Sequence, residues 1–178
     1  MVIIAIIGSA GRDNLQTYSA ELFEKMVEAA KYMMRNLTDI TLVSGGAALS
    51  DHVAVQLYLD NFVSKLVLHL PCEWNQTQYL DTGVQDWRVN PGKTSNYYHS
   101  KFSSILGRNT LKEIALAIDK GAKVNIHKGF HVRNTYVARC DYMIAFTWSD
   151  SNIPVGGGTL DTWNKCTSVK YHVNLRFL

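Results

Sequence analysis

Long apolar runs are missing from this chain, and none approaches the roughly 18 residues that a bilayer-spanning helix requires. The opening Met1-Val-Ile-Ile-Ala-Ile-Ile-Gly is not what a secretory leader looks like: Val2–Ile7 is too short and has no basic lead-in, so it is expected as a buried strand. Cysteine is scarce. Cys72, Cys140 and Cys166 are scattered and odd in number, which argues against a disulfide framework and suits a reducing, cytoplasmic setting without membrane attachment. Asn36-Leu-Thr38 and Asn75-Gln-Thr77 match the glycosylation pattern, but without a secretion signal they read as chance. Several catalytic signatures are absent too. There is no Gly-x-Ser-x-Gly elbow. Gly92-Lys93-Thr94 resembles the end of a phosphate-binding P-loop, yet Trp87 stands where that motif needs glycine and no strand precedes it. His127 and His131 are spaced i, i+4, but Gly129 between them argues against a helix and hence against a zinc pair, so no metal is expected.

What is present is ordinary for a globular domain: 178 residues, 47% hydrophobic and 19% charged. No internal repeat or linker divides them, so one domain over residues 1–178 is expected. The net charge of +3 hides an asymmetry. Residues 1–87 carry ten acids and five bases, whereas residues 88–139 carry ten bases and two acids. Such a block either attracts phosphates or nucleic acid, or is a solvated face of long side chains.

Apolar periodicity lays out the elements. Val2–Ile7 is continuous and β-branched, as in a central parallel strand buried on both faces. From Leu15 to Leu37, Leu22, Phe23, Met26, Val27, Ala30, Met33, Met34 and Leu37 recur at helical spacing. Ile40–Val43 and Leu66–Leu70 read as strands, with a helix over Asp51–Phe62 between them. Residues 72–99 lose the pattern and gain aromatics, an insertion expected as a lid over a site or as an oligomer contact. A helix follows over about 100–120, broken near Gly107 and ended by Gly121, then a short helix to Arg139 and strands at Tyr142–Phe146 and Tyr171–Phe177. The layout predicts an α/β, Rossmann-like three-layer sandwich around a mostly parallel sheet of about five strands.

Three glycine loops fall after strands of this sheet: Gly8-Ser9-Ala10-Gly11-Arg12, Ser44-Gly45-Gly46-Ala47, and Gly156-Gly157-Gly158-Thr159. On such sheets ligands sit beyond the carboxyl ends of strands. Glycines let backbone approach a ligand, and a helix N-terminus behind them offers an anion site; the plain alternative is a turn in which Thr159 caps a helix. Asp51 reads as a helix cap in preference to a ribose ligand, and Arg12 as a phosphate contact or a solvated side chain.

Taken together, Ser44-Gly-Gly-Ala, His131-Val-Arg-Asn ahead of Cys140-Asp-Tyr-Met-Ile-Ala-Phe, and Gly156-Gly-Gly-Thr-Leu-Asp-Thr resemble the SLOG superfamily, which joins DNA-processing proteins to the LONELY GUY, lysine-decarboxylase-like enzymes. The resemblance spans most of the chain except the insertion. It implies a nucleotide or nucleotide-derived ligand and no other cofactor. In the LONELY GUY branch an arginine and a glutamate help to cleave the bond between base and ribose 5′-phosphate. Arg133 stands at the arginine position, Asn134 where that branch has lysine, and Thr162 at the glutamate position. Threonine carries no charge to stabilise an oxocarbenium-like state, and Asp161 could substitute only if the helix start were rotated. Binding or sensing of a nucleotide is therefore the expected function, through Gly8, Ser9, Arg12, Ser44, Gly45, Gly46, Asp51, Arg133, Asn134, Gly156, Gly157, Gly158, Thr159 and Thr162. A nucleotide N-glycosidase or transferase using Arg133 and Asp161 is the enzymatic alternative. Single-stranded nucleic-acid binding by the basic block, with Trp and Tyr rings stacking bases, is the third.

Overall fold

A computed structural model describes residues 1–12 and 17–178. Six strands form one sheet: β1 (Val2–Gly8), β2 (Ile40–Ser44), β3 (Lys65–Leu70), β4 (Lys123–Ile126), β5 (Tyr142–Thr147) and β6 (Val169–Asn174). All neighbours pair in parallel, in the order β4-β3-β2-β1-β5-β6. Among the described residues six helices connect or flank them: α1 (Ala20–Met34), α2 (His52–Leu59), α3 (Pro91–Leu106), α4 (Thr110–Asp119), α5 (Phe130–Val137) and α6 (Gly157–Lys165). The architecture is the three-layer Rossmann-like sandwich that the alternation of apolar strands and amphipathic helices predicts.

β1 shows why. Ile4 and Ile6 belong to the core under α1, α2, α3 and α4, whereas Ala5 and Ile7 belong to the opposite core under α5 and α6. Alternate side chains of a strand point to opposite faces, so a strand covered on both must be apolar throughout. α1 begins where Ser19 Oγ accepts the Leu22 amide at 3.1 Å; Leu15, the expected first residue of this helix, lies outside the described residues.

The sheet has six strands where about five are expected. β4 is the addition: four residues, Lys-Val-Asn-Ile, at the edge beside β3, too short and too polar to stand out as a run. The 72–99 insertion is likewise more ordered than its composition suggests. Its second part, from Pro91, is the first half of α3, with Asn90 Oδ1 accepting the Lys93 amide and Pro91 opening the helix. Gly107, at φ 68°, ends α3, so the helix expected over 100–120 is two. The terminal strand stops at Asn174, and Leu175–Phe177 form a 3₁₀ turn. Among the described residues no helix is long and apolar enough to cross a membrane.

Candidate functional site

The strand order reverses at β1: β2, β3 and β4 follow on one side, β5 and β6 on the other. Loops leaving the carboxyl ends of β1 and β5 must therefore diverge, and a crevice opens between them. An open cleft of about 990 Å³ lies there, lined by Gly8–Ala10 and Arg12 after β1, by Thr147–Ser151 after β5, and by the starts of α5 and α6.

Both helix starts are unusual. α6 begins at Gly157 behind Gly156, with φ 64° and 71°, and no side chain caps it. Thr159 does not cap; its hydroxyl donates to Gly8 O at 2.7 Å and ties the loop to β1. α5 begins at Phe130 behind Gly129, at φ 92°, and it too lacks a side-chain cap. The first N–H groups of a helix have no intrahelical acceptor. Two sets of them, each with the positive end of a helix dipole, therefore face one cleft. A Cβ on Gly156 or Gly157 would meet nothing within 4 Å, so their glycines answer to backbone conformation and cleft access and not to packing.

The second glycine loop is built differently. Ser44, Gly45 and Gly46 lie beneath the cleft and do not line it. The Gly45 amide donates to Asp51 Oδ2 at 3.1 Å, the Ala47 amide to the same oxygen at 3.4 Å, and the Gly46 amide to Ser44 Oγ at 3.1 Å. Their donors are spent inside the loop. Asp51 consequently organises the loop and makes no side-chain cap to α2, in contrast to the cap expected of it. Arg133 reaches this loop from α5: its Nη1 donates to Gly45 O at 2.6 Å and lies 3.6 Å from Asp51 Oδ2. A Cβ on Gly45 would run into that guanidinium, which is why glycine stands there. Arg133 is 8% exposed, lines the cleft floor and leaves Nε without a partner. Burial pushes the Asp51 carboxyl up against the pull of Arg133, and burial likewise pushes the Arg133 guanidinium down.

Below the loop, Gly46 O accepts from the Tyr79 hydroxyl and from His99 Nε2, the latter at 2.9 Å. A carbonyl only accepts, so His99 carries its proton on Nε2, while Nδ1 faces Thr110 Oγ1 at 2.9 Å. Burial, and then the neighbouring His52, lower the His99 pKa to about 3. The unfolded side chain titrates near 6.5, so the stabilisation is complete above that pH and is lost as pH falls toward 3. Between pH 7 and pH 4 this is expected to cost on the order of 3 kcal/mol. Urea unfolding of the wild type and of His99→Gln at both pH values checks it: the variant should lose distinctly less on acidification.

The remaining predicted residues separate into two groups. Asn134 and Thr162 line the cleft; Asp161 does not. Asp161 Oδ2 accepts from Lys165 Nζ at 2.8 Å and Asn134 Nδ2 at 2.9 Å, and lies 3.4 Å from His131 Nδ1. Burial raises its pKa, but the hydrogen bonds from Lys165 and Asn134 outweigh this and hold it below the usual carboxylate value. Thr162, 3% exposed, donates to Gly158 O at 2.8 Å. His127, the other histidine of the i, i+4 pair, sits 2.9 Å from His69 Nδ1 through its Nε2.

The aromatic lining comes partly from the 72–99 insertion expected as a lid over a site, which supplies Trp87 and Tyr98; sequence reasoning passed over Phe130, Trp148 and Arg176. Tyr98 from α3, Phe130 from α5, Trp148 after β5 and Trp87 from the insertion all border the cleft, as does Arg176 from the terminal turn, paired with Asp150 at 2.8 Å. The carboxyl-end rule could have found Trp148, which follows β5 directly; the others arrive from elements distant in sequence. Arg12, one of the predicted residues, lies over the Tyr98 and Phe130 rings.

No family model and no solved structure matches the chain. A curated protein of Acanthamoeba polyphaga mimivirus, "Uncharacterized protein R261", is 37% identical over 182 residues, covering 97% of this chain and 95% of that protein. The likeness therefore extends through the sheet, the cleft and the insertion alike.

Proposed function

We propose that this chain, which belongs to the family of the mimivirus protein R261, binds a phosphorylated, nucleotide-type ligand in the cleft, as a divergent SLOG-like protein. One observation carries the reading: two helix N-termini without side-chain caps and a buried guanidinium converge on the crevice where the strand order reverses. A phosphate seated on the amides of Gly157, Gly158 and Thr159 would accept their unpaired N–H groups. A second anionic oxygen would meet the Phe130 and His131 amides. Arg133 beneath, paired with Asp51, keeps an unpartnered Nε, and Arg12 and Arg176 border the opening. The volume suits a ligand of nucleotide size.

The same geometry favours binding over hydrolysis. Cleavage of a glycosidic bond calls for a carboxylate facing the sugar. The position where LONELY GUY enzymes carry glutamate holds Thr162, whose hydroxyl is engaged by Gly158 O. Asp161 is tied to Lys165 and Asn134, and Asp51 to Arg133 and two amides. The nucleic-acid reading loses support as well, because the basic block is partly consumed internally. Arg133 is buried, Arg108 pairs with Glu113 at 2.9 Å, and Lys120 holds the Tyr58 carbonyl at 2.6 Å.

A thermal-shift screen of nucleoside mono-, di- and cyclic phosphates tests the proposal. At a hundredfold excess over Kd, a ligand adds about 2.7 kcal/mol, which for a domain of this size is about 5–10 °C in Tm. No response across the panel would contradict it. Chromatography of the same mixtures is expected to show no release of free adenine, guanine or cytosine. Base release that disappears in Arg133→Ala would establish the glycosidase instead.

A further inference from the structure

A bound phosphate would account for the floor of the cleft but not for its rings. Arg12 Cζ lies 5.0 Å from the centroid of Tyr98 and 5.8 Å from that of Phe130, so one planar cation lies against two aromatic side chains. Phe130 is the first residue of α5, and its ring stands beside the amides just assigned to an anion. Trp87 packs on it at 6.2 Å, and the Arg133 guanidinium approaches it at 5.4 Å.

We infer that the slot between Tyr98 and Phe130 is the base site of the ligand, and that Arg12 occupies it until a base enters; this rests on the phosphate reading above. A guanidinium and a nucleobase satisfy the same ring faces, one as a cation over the π-cloud and the other by stacking. Both measured distances lie in the roughly 4.5–7 Å range of offset aromatic pairs. A base centred where the Arg12 guanidinium carbon now lies would therefore be in contact range of both rings. Arg12, displaced, would be free to make a charge-assisted hydrogen bond to the phosphate, so the exchange replaces two cation–π contacts by base–ring contacts and an ion pair. The slot selects for a planar unsaturated ring attached to a phosphorylated sugar. Larger ring area should favour purines over pyrimidines.

Calorimetric titration with ribose 5-phosphate, a purine nucleoside 5′-monophosphate and a pyrimidine one tests this on the wild type, Tyr98→Ala and Tyr98→Leu. Leucine keeps apolar bulk at the position without a π-face, so it remains informative if alanine loosens the fold. The purine nucleotide is expected to bind about tenfold or more tighter than ribose 5-phosphate, an advantage that both variants reduce by roughly tenfold. Ribose 5-phosphate affinity should stay within about twofold of the wild type in Tyr98→Leu, because that ligand never reaches the ring. Equal binding of ribose 5-phosphate and both nucleotides by the wild type would overturn the base site and leave the phosphate site standing. So would a purine advantage that survives in Tyr98→Leu. Failure of all three ligands to bind would overturn the phosphate reading, and the base site with it.

Discussion

Arg133→Met is expected to abolish nucleotide binding and to lower the unfolding free energy by about 3 kcal/mol. The guanidinium is buried against Asp51 and Gly45 O, and methionine removes the charge while keeping much of the stem's volume. Asp51 would then be a buried carboxylate held by backbone amides alone. Without Arg133 only the backbone hydrogen bonds from Ala47, Gly45 and Gly8 oppose the upward push of burial on its pKa. A carboxyl whose folded pKa is raised contributes stability below its unfolded value near 3.9 and loses it as pH rises through the folded value. The variant's deficit should accordingly be larger at pH 8 than at pH 5. Asp51→Asn combined with Arg133→Met removes the stranded charge. That double variant should regain most of the stability and none of the binding. Urea unfolding alongside thermal shift separates the two effects. A double variant that binds normally would remove Arg133 from the site.

Gly157→Val should be nearly as damaging to binding and much milder to the fold. Gly157 sits at φ 64°, where a β-branched residue is strained by roughly 1–2 kcal/mol. Its side chain would project into open space, so no packing clash adds to the cost. What it disturbs is the start of α6, where the unpaired amides are. Gly107→Val is the matched control: Gly107 has φ 68°, equally open surroundings, and no part in the cleft. Both variants should lose similar stability by urea unfolding. Only Gly157→Val should lose the thermal response to nucleotide, and an equal loss in both would make the effect a general one of stability.

The sheet was readable because its central strands are covered on both faces. Val2–Ile7 and Tyr142–Phe146 have to be apolar at every position, and such runs stand out in one dimension. β4 is an edge strand of four residues with lysine and asparagine in it, and it carries no such mark. The segment Gly156–Thr159 was also readable, since three glycines at a helix start describe most of what is there. Ser44-Gly45-Gly46 shows where reading stops. A glycine pair after a strand has one appearance whether its amides face a ligand or a carboxylate six residues on. What decides between them is the arrival of Arg133, 88 residues away in sequence, on Gly45 O. The aromatic slot was hidden for the same reason, because Arg12, Tyr98 and Phe130 come from three separate elements and no spacing relates them. Thr162 and Asp161 needed hydrogen-bond partners before the weight of the resemblance could be judged at either position.

The central claim concerns particular amides, and amide resonances report on it directly. In a ¹H–¹⁵N titration with a purine nucleoside 5′-monophosphate, the largest shifts are expected at Gly157, Gly158 and Thr159 and at Phe130 and His131. The amides of Gly45 and Gly46, already bonded to Asp51 and Ser44, should move little. Inorganic pyrophosphate should reproduce the shifts at the two helix starts. Shifts that concentrate on another face of the sheet, or a spectrum unmoved at millimolar ligand, would contradict the account.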